Sequence, residues 1–217
     1  MEFSEAFPVW SDLTGEQQKQ LSQAAVLRSF PQGATLHRGD ADCTGLLLVR
    51  SGRLRAYILS PEGREITLYR LSPPDFCLLS APCVLHNLHL EVQIESERDT
   101  QLWMIPPENY RTLMAQSPCV ANYTNEVMAS RFSQVIWLLE QILWQKLDRR
   151  LADFLLEEAD LEGSSHLKIT HEAIGRHLGT AREAVTRMLR YFQEEGLVNL
   201  SRGAIELADP GRLAQLS

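Results

Sequence analysis

Residues 170–196 contain two helical patterns that are separated by a tight turn of two residues, Gly179 and Thr180. Thr170 is a favourable N-cap residue, so a first helix is predicted over 170–178. A second helix is predicted over 181–194, because apolar residues recur there at helical spacing and a glycine follows. A connection of two residues forces the helices to pack against each other, so the segment is predicted to be a helix-turn-helix.

The second predicted helix has two chemically different faces. One face is an apolar stripe at helical spacing, formed by Ala184, Val185, Met188, Leu189 and Phe192. The opposite face is polar and consists of Arg182, Glu183, Thr186, Arg187 and Arg190. On the first helix, Ile174 and Leu178 supply a matching apolar surface, and the small Gly175 permits a close crossing. When the apolar stripe is buried against the first helix, the polar stripe on the opposite side of the second helix must therefore face the solvent.

The polar face carries the side-chain types that read base edges in the major groove of DNA. An arginine can donate two parallel hydrogen bonds to guanine, and a glutamate can accept one from cytosine. Arg182 and Glu183 begin the helix, where such contacts are made, and Arg187 follows one turn later. We therefore predict that these three side chains read bases. Thr170 and His171 open the preceding helix, at a place suited to a backbone phosphate. The alternative is a solvated charged face on an ordinary helical hairpin.

A β-hairpin is predicted directly after the second helix. Its strands are predicted over 197–200 and 204–207, around the turn Ser201-Arg202-Gly203. Arg202 at the tip could contact a phosphate, so the hairpin is interpreted as a wing. The predicted DNA-binding set thus also includes Thr180, Ala181, Thr186, Arg190 and Arg202.

The segment from Pro31 to about Pro107 has a different pattern, in which short apolar or alternating runs are separated by turn residues. The predicted strands lie at 46–50, 54–59, 64–71 and 100–105, with a hairpin over 54–71. Turns about every ten residues predict an all-β sandwich or barrel. Residues 10–30 are predicted to be helical, capped by Ser11 or Thr14, with Leu21, Ala24 and Ala25 on the apolar side.

Residues 120–157 return to a helical pattern that no glycine or proline interrupts. An apolar stripe with alternating steps of four and three runs along it: Met128, Phe132, Val135, Leu139 and Ile142. We expect this stripe to form a dimer interface, because a symmetric DNA reader needs two copies. The alternative is that the stripe packs on the chain's own β domain. Gly163-Ser164-Ser165 is interpreted as a linker to the last module.

The net charge of −7 looks unfavourable for a DNA-binding protein, but the charge is unevenly distributed. Residues 164–217 contain seven basic and six acidic side chains, so the acidic excess lies in the rest of the chain. Such a balance is compatible with DNA binding and limits non-specific affinity. No apolar run approaches a membrane span and no signal peptide is evident, so we expect a cytoplasmic protein without a membrane partner. Its four cysteines are expected to be reduced.

Two stretches of the chain resemble one family. ITHEAIGRHLGTAREAVTRMLRYFQEEGLV is similar to the winged helix-turn-helix of the Crp/Fnr family, and GATLHRGDADCTGLLLVRSGRLRAYI is similar to the opening of its β-roll. The resemblance implies a homodimer that binds a near-palindromic site in double-stranded DNA and controls transcription in response to a signal received in the β-roll. RNA polymerase is an expected partner. In the family motif, Arg182, Glu183 and Arg187 are the base-reading positions. Ala181 replaces the usual serine or threonine cap, for which Thr180 can substitute.

The resemblance implies an α+β fold with three parts. An N-terminal β-roll, which is a double-stranded jelly roll like a cyclic-nucleotide-binding domain, is expected over 1–118 with the N-terminal helical region. A long dimerisation helix is expected over 119–146, and a winged helix-turn-helix over 147–217.

The effector is less constrained by the sequence. Cyclic-nucleotide binders of the family carry a Gly-Glu-Leu segment and an arginine for the phosphate. The stretch 71–97 has neither, so cyclic AMP is not expected to bind. The iron–sulfur branch uses cysteines near the N-terminus, and residues 1–42 have none.

The segment DFCLLSAPC resembles the haem-binding stretch of the carbon-monoxide-sensing branch of the family. Cys77 matches the cysteine ligand of that branch, but Leu79 replaces its histidine ligand. The candidate sensor residues are Cys77, Cys83, His86 and His89, as haem or metal ligands or, for the two cysteines, as redox-active thiols. The alternative is that both cysteines are small buried hydrophobic residues, so the cofactor and any metal stay open.

Two further alternatives concern the class of protein. A β-barrel with His86, His89 and Glu91 suggests a cupin-like metalloenzyme, but histidines three residues apart face opposite ways on a strand. No other catalytic arrangement is evident, so an enzyme is not expected. The remaining alternative is a DNA-binding protein without an effector.

Overall fold

The computed structural model describes residues 2–39, 43–81, 84 and 91–216. It confirms the α+β fold class, with a β-rich N-terminal part, a long helix and C-terminal helix-turn-helix helices. The helices are α1 (Phe3–Ala6), α2 (Gly15–Ala24), α3 (Pro107–Gln116), α4 (Pro118–Trp144), α5 (Leu147–Glu162), α6 (His171–Leu178), α7 (Arg182–Glu194) and α8 (Pro210–Ala214). The strands are β1 (Val26–Phe30), β2 (Thr35–Arg38), β3 (Leu46–Ser51), β4 (Leu54–Leu59), β5 (Glu65–Leu71), β6 (Phe76–Cys77), β7 (Val92–Ser96), β8 (Thr100–Ile105), β9 (His166–Leu167), β10 (Val198–Ser201) and β11 (Ala204–Leu207).

The described residues form two compact units. The first contains residues 2–59 and 68–135, and the second contains 60–67 and 136–216. This division cuts α4 near its middle and assigns the β4–β5 turn to the second unit. The predicted domain boundaries at 118/119 and 146/147 follow the secondary structure instead, and they stay a prediction.

The first unit is built from two four-stranded sheets, in the orders β1-β8-β3-β6 and β2-β7-β4-β5. The four strands predicted from the sequence are confirmed as β3, β4, β5 and β8, and β4 and β5 are neighbours as the predicted hairpin requires. Strand β3 shows why the run LLLV is a strand. Leu46 and Leu48 pack under the helices of this unit, whereas Leu47 and Val49 pack in the core shared by the two sheets. Successive side chains of a strand point to opposite faces, and here both faces are buried.

The N-terminal helical region is shorter than predicted. Thr14 is the N-cap of α2 and accepts a hydrogen bond from the Gln17 backbone nitrogen, as the capping prediction requires. However, α2 ends at Ala24, and Val26–Phe30 forms strand β1, which pairs antiparallel with β8. The prediction of a helix to residue 30 was wrong, because pairing with a distant strand decides the conformation of a short segment.

The long helix predicted over 120–157 is two helices. Helix α4 ends at Trp144, and Lys146 adopts an extended conformation as the N-cap of α5. The prediction failed because no glycine or proline marks the break. Tertiary packing accounts for it, since Leu151, Ala152 and Leu155 of α5 are buried in the core of the second unit.

The second unit contains a three-stranded sheet in the order β10-β11-β9, with α5, α6, α7 and α8. Strands β10 and β11 confirm the predicted wing to within one residue. Strand β9 was not predicted: it follows the supposed linker, and its Leu167 pairs with Ile205. Gly163, at a φ of 60°, ends α5 in the left-handed conformation.

Candidate nucleic-acid interface

The turn between α6 and α7 is held by two glycines. Thr170 caps α6 by accepting a hydrogen bond of 3.1 Å from the Ala173 backbone nitrogen. Gly179 ends the helix at a φ of 65°, in the left-handed region that glycine adopts without strain. A Cβ atom on Gly175 would lie 2.8 Å from the carbonyl oxygen of Thr180. The close crossing predicted for Gly175 is thus confirmed, and it leaves no room for a methyl group.

Helix α7 has the two faces that its sequence predicts. Val185, Leu189 and Phe192 are fully buried, and they share a core with Ile174 and Leu178 of α6. The opposite face is accessible. Its exposed side chains are Arg182, Glu183, Arg187 and Arg190.

The start of α7 presents its first polar side chains without a side-chain cap. Ala181 is the N-cap residue and provides no capping hydrogen bond. Thr180, which was expected to substitute, is half-buried, and its backbone nitrogen donates to Gly175. Arg182 and Glu183 form the first turn, with Arg187 one turn further along the same exposed face.

His171 and Thr186 link the two helices by a hydrogen bond that the sequence did not predict. The Nδ1 atom of His171 lies 2.9 Å from the hydroxyl oxygen of Thr186. That hydroxyl donates in turn to the carbonyl oxygen of Arg182, also at 2.9 Å. Partial burial lowers the pKa of His171 below its usual value, and the positive charges of Arg182 and Arg190 lower it further.

The wing places Arg202 apart from this network. Arg202 is exposed at the tip of the β10–β11 hairpin, next to Gly203 at a φ of 76°. The hydrogen bonds above thus join four of the predicted DNA-binding positions, namely Thr170, His171, Arg182 and Thr186, to the helix-turn-helix framework. Arg202 lies on a separate element of the same unit.

Among the predicted sensor residues, only Cys77 lies within the described residues. Cys83, His86 and His89 lie outside them. Cys77 is a free cysteine with 1% exposure, and burial raises the pKa of its thiol. It packs in the core between the two sheets, which agrees with the alternative of a small buried hydrophobic residue.

Two further findings bear on the cysteines and on metals. Cys43 is disulfide-bonded, whereas all four cysteines were expected to be reduced. Over residues 2–39, 43–81, 84 and 91–216, no group of three or more His, Cys, Asp or Glu side chains is arranged to hold a metal ion.

Arg131 of α4 connects this helix to the strands around Cys77. Its guanidinium lies 3.3 Å from an Asp75 carboxylate oxygen and 4.7 Å from the centre of the Tyr69 ring. Tyr69 packs in the same core as Cys77. A cleft of about 410 Å³ opens beside Arg131 and is also lined by Phe76 and Tyr123. The contact therefore couples α4 to the core of the first unit.

The predicted dimer stripe divides into two parts. Met128 is partly buried against the core of its own unit, because the first half of α4 covers that core. Val135 is half-buried. From Phe132 to its C-terminal end, α4 exposes large apolar side chains: Phe132, Ile136, Trp137, Leu139, Ile142, Leu143 and Trp144. Phe132, Leu143 and Trp144 are 68%, 67% and 83% exposed. Ile136 and Leu143 were missed, although with Phe132 and Leu139 they repeat the same steps of four and three.

Within the described residues, no helix combines the length and the apolar character that a membrane span requires. Although α4 has 27 residues and exposed apolar side chains, it does not meet that condition.

Each of the two units contains a segment that matches a known protein family. Residues 27–117 match the cyclic nucleotide-binding domain, and residues 149–216 match the Crp-like helix-turn-helix domain. A candidate transcriptional regulator of the Crp/Fnr family from Eubacterium rectale ATCC 33656, of known crystal structure, is 57% identical to this chain. That match covers 98% of both chains with a TM-score of 0.95.

Two curated relatives are more distant. The cyclic AMP receptor protein of Thermus thermophilus is 28% identical over 191 residues, which are 88% of this chain and 87% of the relative. The global nitrogen regulator of Synechococcus elongatus is 24% identical over 204 residues, which are 87% of this chain and 88% of the relative. The order of the two matched domains and the near-complete match to a solved relative identify the family, and the exposed polar face of α7 agrees with them. The chain therefore belongs to the Crp/Fnr family of DNA-binding transcription regulators.

Proposed function

We propose that this protein is a sequence-specific regulator of transcription that reads double-stranded DNA with Arg182, Glu183 and Arg187. The observation that carries the proposal is the exposed polar face of α7, presented by a helix whose other face is anchored by the fully buried Val185, Leu189 and Phe192. A helix that is anchored in this way can enter a major groove without losing its own packing.

The geometry supports distinct roles along this face. Arg182 and Arg187 are suited to guanine, and Glu183 to a cytosine amino group. The remaining predicted residues are assigned to the DNA backbone near the reader helix: Thr170, His171, Thr180, Ala181, Arg190 and Arg202. The role of Thr186 is narrower than predicted. Its hydroxyl proton is already donated to the Arg182 carbonyl oxygen and its oxygen lies 2.9 Å from His171 Nδ1, so the hydroxyl has no proton left to donate to a base.

The proposed active form is a homodimer on a near-palindromic site. Half of α4 exposes a run of large apolar side chains, including Phe132, Leu139 and Leu143, that a second copy would cover. Two copies related by a two-fold axis would place their α7 helices in successive major grooves, about 34 Å apart.

The β-roll is proposed to receive the signal and to shift the DNA affinity through α4. Arg131 of α4 supports this coupling between the β-roll and α4, because it forms an ion pair with Asp75 and covers the ring of Tyr69, which packs in the core between the two sheets. A cyclic nucleotide is a poor fit for the signal. Three buried or nearly buried arginines in or beside β4 and β5 are paired with carboxylates: Arg53 and Arg70 with Glu97, and Arg55 with Glu95. A bound phosphate would have to displace one of these pairs.

The environment of Cys77 does not fit a haem ligand or a reactive thiol. The side chain is enclosed by core residues, and its raised pKa disfavours the thiolate that both roles require. No step of the proposed mechanism therefore passes through a haem or through Cys77 chemistry.

The proposal can be tested by selecting bound sequences from a random library of DNA duplexes. Wild-type protein should enrich a near-palindromic sequence. Arg182→Ala should weaken binding to that sequence by about 1–3 kcal/mol, or roughly 5- to 150-fold, and relax selectivity at one base pair per half-site.

Arg212→Ala is a matched control for the loss of an arginine in the same unit. Arg212 forms an ion pair with Glu195. Glu195 lies just beyond the C-terminal end of α7, roughly 20 Å along the helix axis from Arg182. Its removal should leave the selected sequence unchanged. Identical selectivity in wild type and Arg182→Ala would contradict the assignment of Arg182.

A further inference from the structure

The hydrogen bonds between α6 and α7 determine the tautomer of His171. A threonine hydroxyl has a single proton, and that of Thr186 is donated to the Arg182 carbonyl oxygen. The hydroxyl can therefore only accept from His171, so the proton of the neutral imidazole is on Nδ1. The Nε2 atom then carries a lone pair, and it makes no hydrogen bond within the described residues.

Partial burial, together with the charges around His171, keeps the imidazole neutral in the absence of DNA. Arg182 and Arg190 act on it from α7, and Lys168 and Glu172 flank it along the chain. Partial burial lowers the pKa of His171 and the two arginines lower it further, so the neutral form predominates at neutral pH. A neutral Nε2 with a lone pair cannot donate to an anion, and it would repel a phosphate oxygen.

We propose that His171 contacts a DNA phosphate through Nε2–H, and that its hydrogen bond to Thr186 makes this contact dependent on taking up a proton. This inference rests on the proposed DNA-binding function and adds a pH-dependent step to it. DNA supplies the change in charge. Its phosphates offset the positive charge of Arg182 and Arg190 and favour the imidazolium, whose two N–H groups can donate to Thr186 and to a phosphate together.

The sign of the pH dependence follows from proton uptake. The pKa of His171 rises on binding, so DNA affinity increases as the pH falls through the pKa of the complex. The increase ends below the pKa of the free protein, where His171 is already protonated. One proton corresponds to at most about a tenfold change in affinity per pH unit between those two values.

The test is a series of DNA affinities for the full chain on its selected duplex, from pH 5.5 to 8.5 at constant salt. The wild type should bind more tightly towards acid pH. In His171→Asn, the side-chain amide can still donate to Thr186 but cannot titrate, so the slope should be lost. In Thr186→Val, a neutral His171 can adopt the other tautomer and donate from Nε2, so the slope should shrink while binding at pH 8 is retained.

His166→Gln is the matched control, since His166 is an exposed histidine of the same unit on β9. It should keep the wild-type slope. Equal slopes in wild type and His171→Asn would overturn the proton-linked contact and leave DNA reading intact. An absence of specific binding by the wild type at every pH would instead overturn the proposed function.

The tautomer can be measured without DNA. Nitrogen-15 NMR of the free wild type above pH 7.5 should show His171 protonated at Nδ1. Protonation at Nε2 would overturn the inference whatever the binding data show.

Discussion

Replacing Gly175 with alanine should destabilise the helix-turn-helix, although alanine is the better helix former. In an exposed helix this change stabilises by about 0.5–1 kcal/mol. Here the new methyl group would lie 2.8 Å from the Thr180 carbonyl oxygen, closer than packed carbon and oxygen atoms approach. The overlap cannot be relieved by a side-chain rotation, because the contact atom belongs to the backbone. The Thr180 nitrogen is itself bonded to the Gly175 oxygen at 3.0 Å.

Forcing an extra methyl group into such a contact typically costs about 1–3 kcal/mol, which outweighs the gain in helix propensity. Subtracting that gain leaves a net loss for Gly175→Ala of about 1 kcal/mol at the centre of these ranges and of at most about 2.5 kcal/mol, concentrated in α6 and α7. Gly15→Ala is the matched control. Gly15 lies in the first turn of α2, its φ is not positive, and nothing is within 4 Å of its added methyl group, so the change should be neutral or slightly stabilising.

Amide hydrogen exchange on the full chain resolves the two effects by residue. A net loss of about 1 kcal/mol corresponds to an increase of about fivefold in the exchange rate of the Ile174 and Thr180 amides, and the upper limit of about 2.5 kcal/mol corresponds to about seventyfold. DNA affinity should fall with it, because the Arg182 nitrogen lies 3.5 Å from the added methyl group. Slower exchange at these amides, as expected for a simple gain in helix propensity, would refute the reasoning.

Two further predictions concern the oligomeric state, through α4, and the reactivity of Cys77 in the first unit. Leu143→Glu places a charge on the exposed apolar face of α4, so it should convert a dimer to a monomer in sedimentation velocity. The control is Ser133→Glu, which changes an exposed polar position of the same helix and should leave the dimer intact. An unchanged mass for Leu143→Glu would exclude the apolar face of α4 as the interface. Cys77 should resist a thiol reagent at pH 8 until the protein unfolds, because it is buried and its pKa is raised, whereas the half-buried Cys119 should react first. Equal labelling rates for Cys77 and Cys119 in the folded protein would contradict the buried environment.

The helix-turn-helix could be predicted in detail because its signals are local. The Thr170 cap, the Gly179 turn and the period of α7 each act within a few residues, and they agree with one another. The β-roll strands were found for the same reason, from runs of apolar residues between turns.

The errors lie where distant residues decide the local structure. Val26–Phe30 is a strand because it pairs with β8, which follows some seventy residues later. The break at Lys146 has no local signal, since it reflects the packing of α5 in a different core. The hydrogen bond from His171 to Thr186 joins positions on two helices, so neither helix pattern alone could predict it. The sequence therefore placed both residues in the predicted DNA-binding site without predicting the hydrogen bond between them.

The most direct test of base reading by α7 is methylation interference on the selected duplex. Methylation of guanine N7 blocks the major-groove edge to which arginine donates, whereas methylation of adenine N3 blocks the minor groove. We predict interference at guanines in two half-sites about one helical turn apart, and its loss at one guanine per half-site with Arg182→Ala. Interference confined to adenine N3, or none at any guanine, would contradict major-groove reading by this helix.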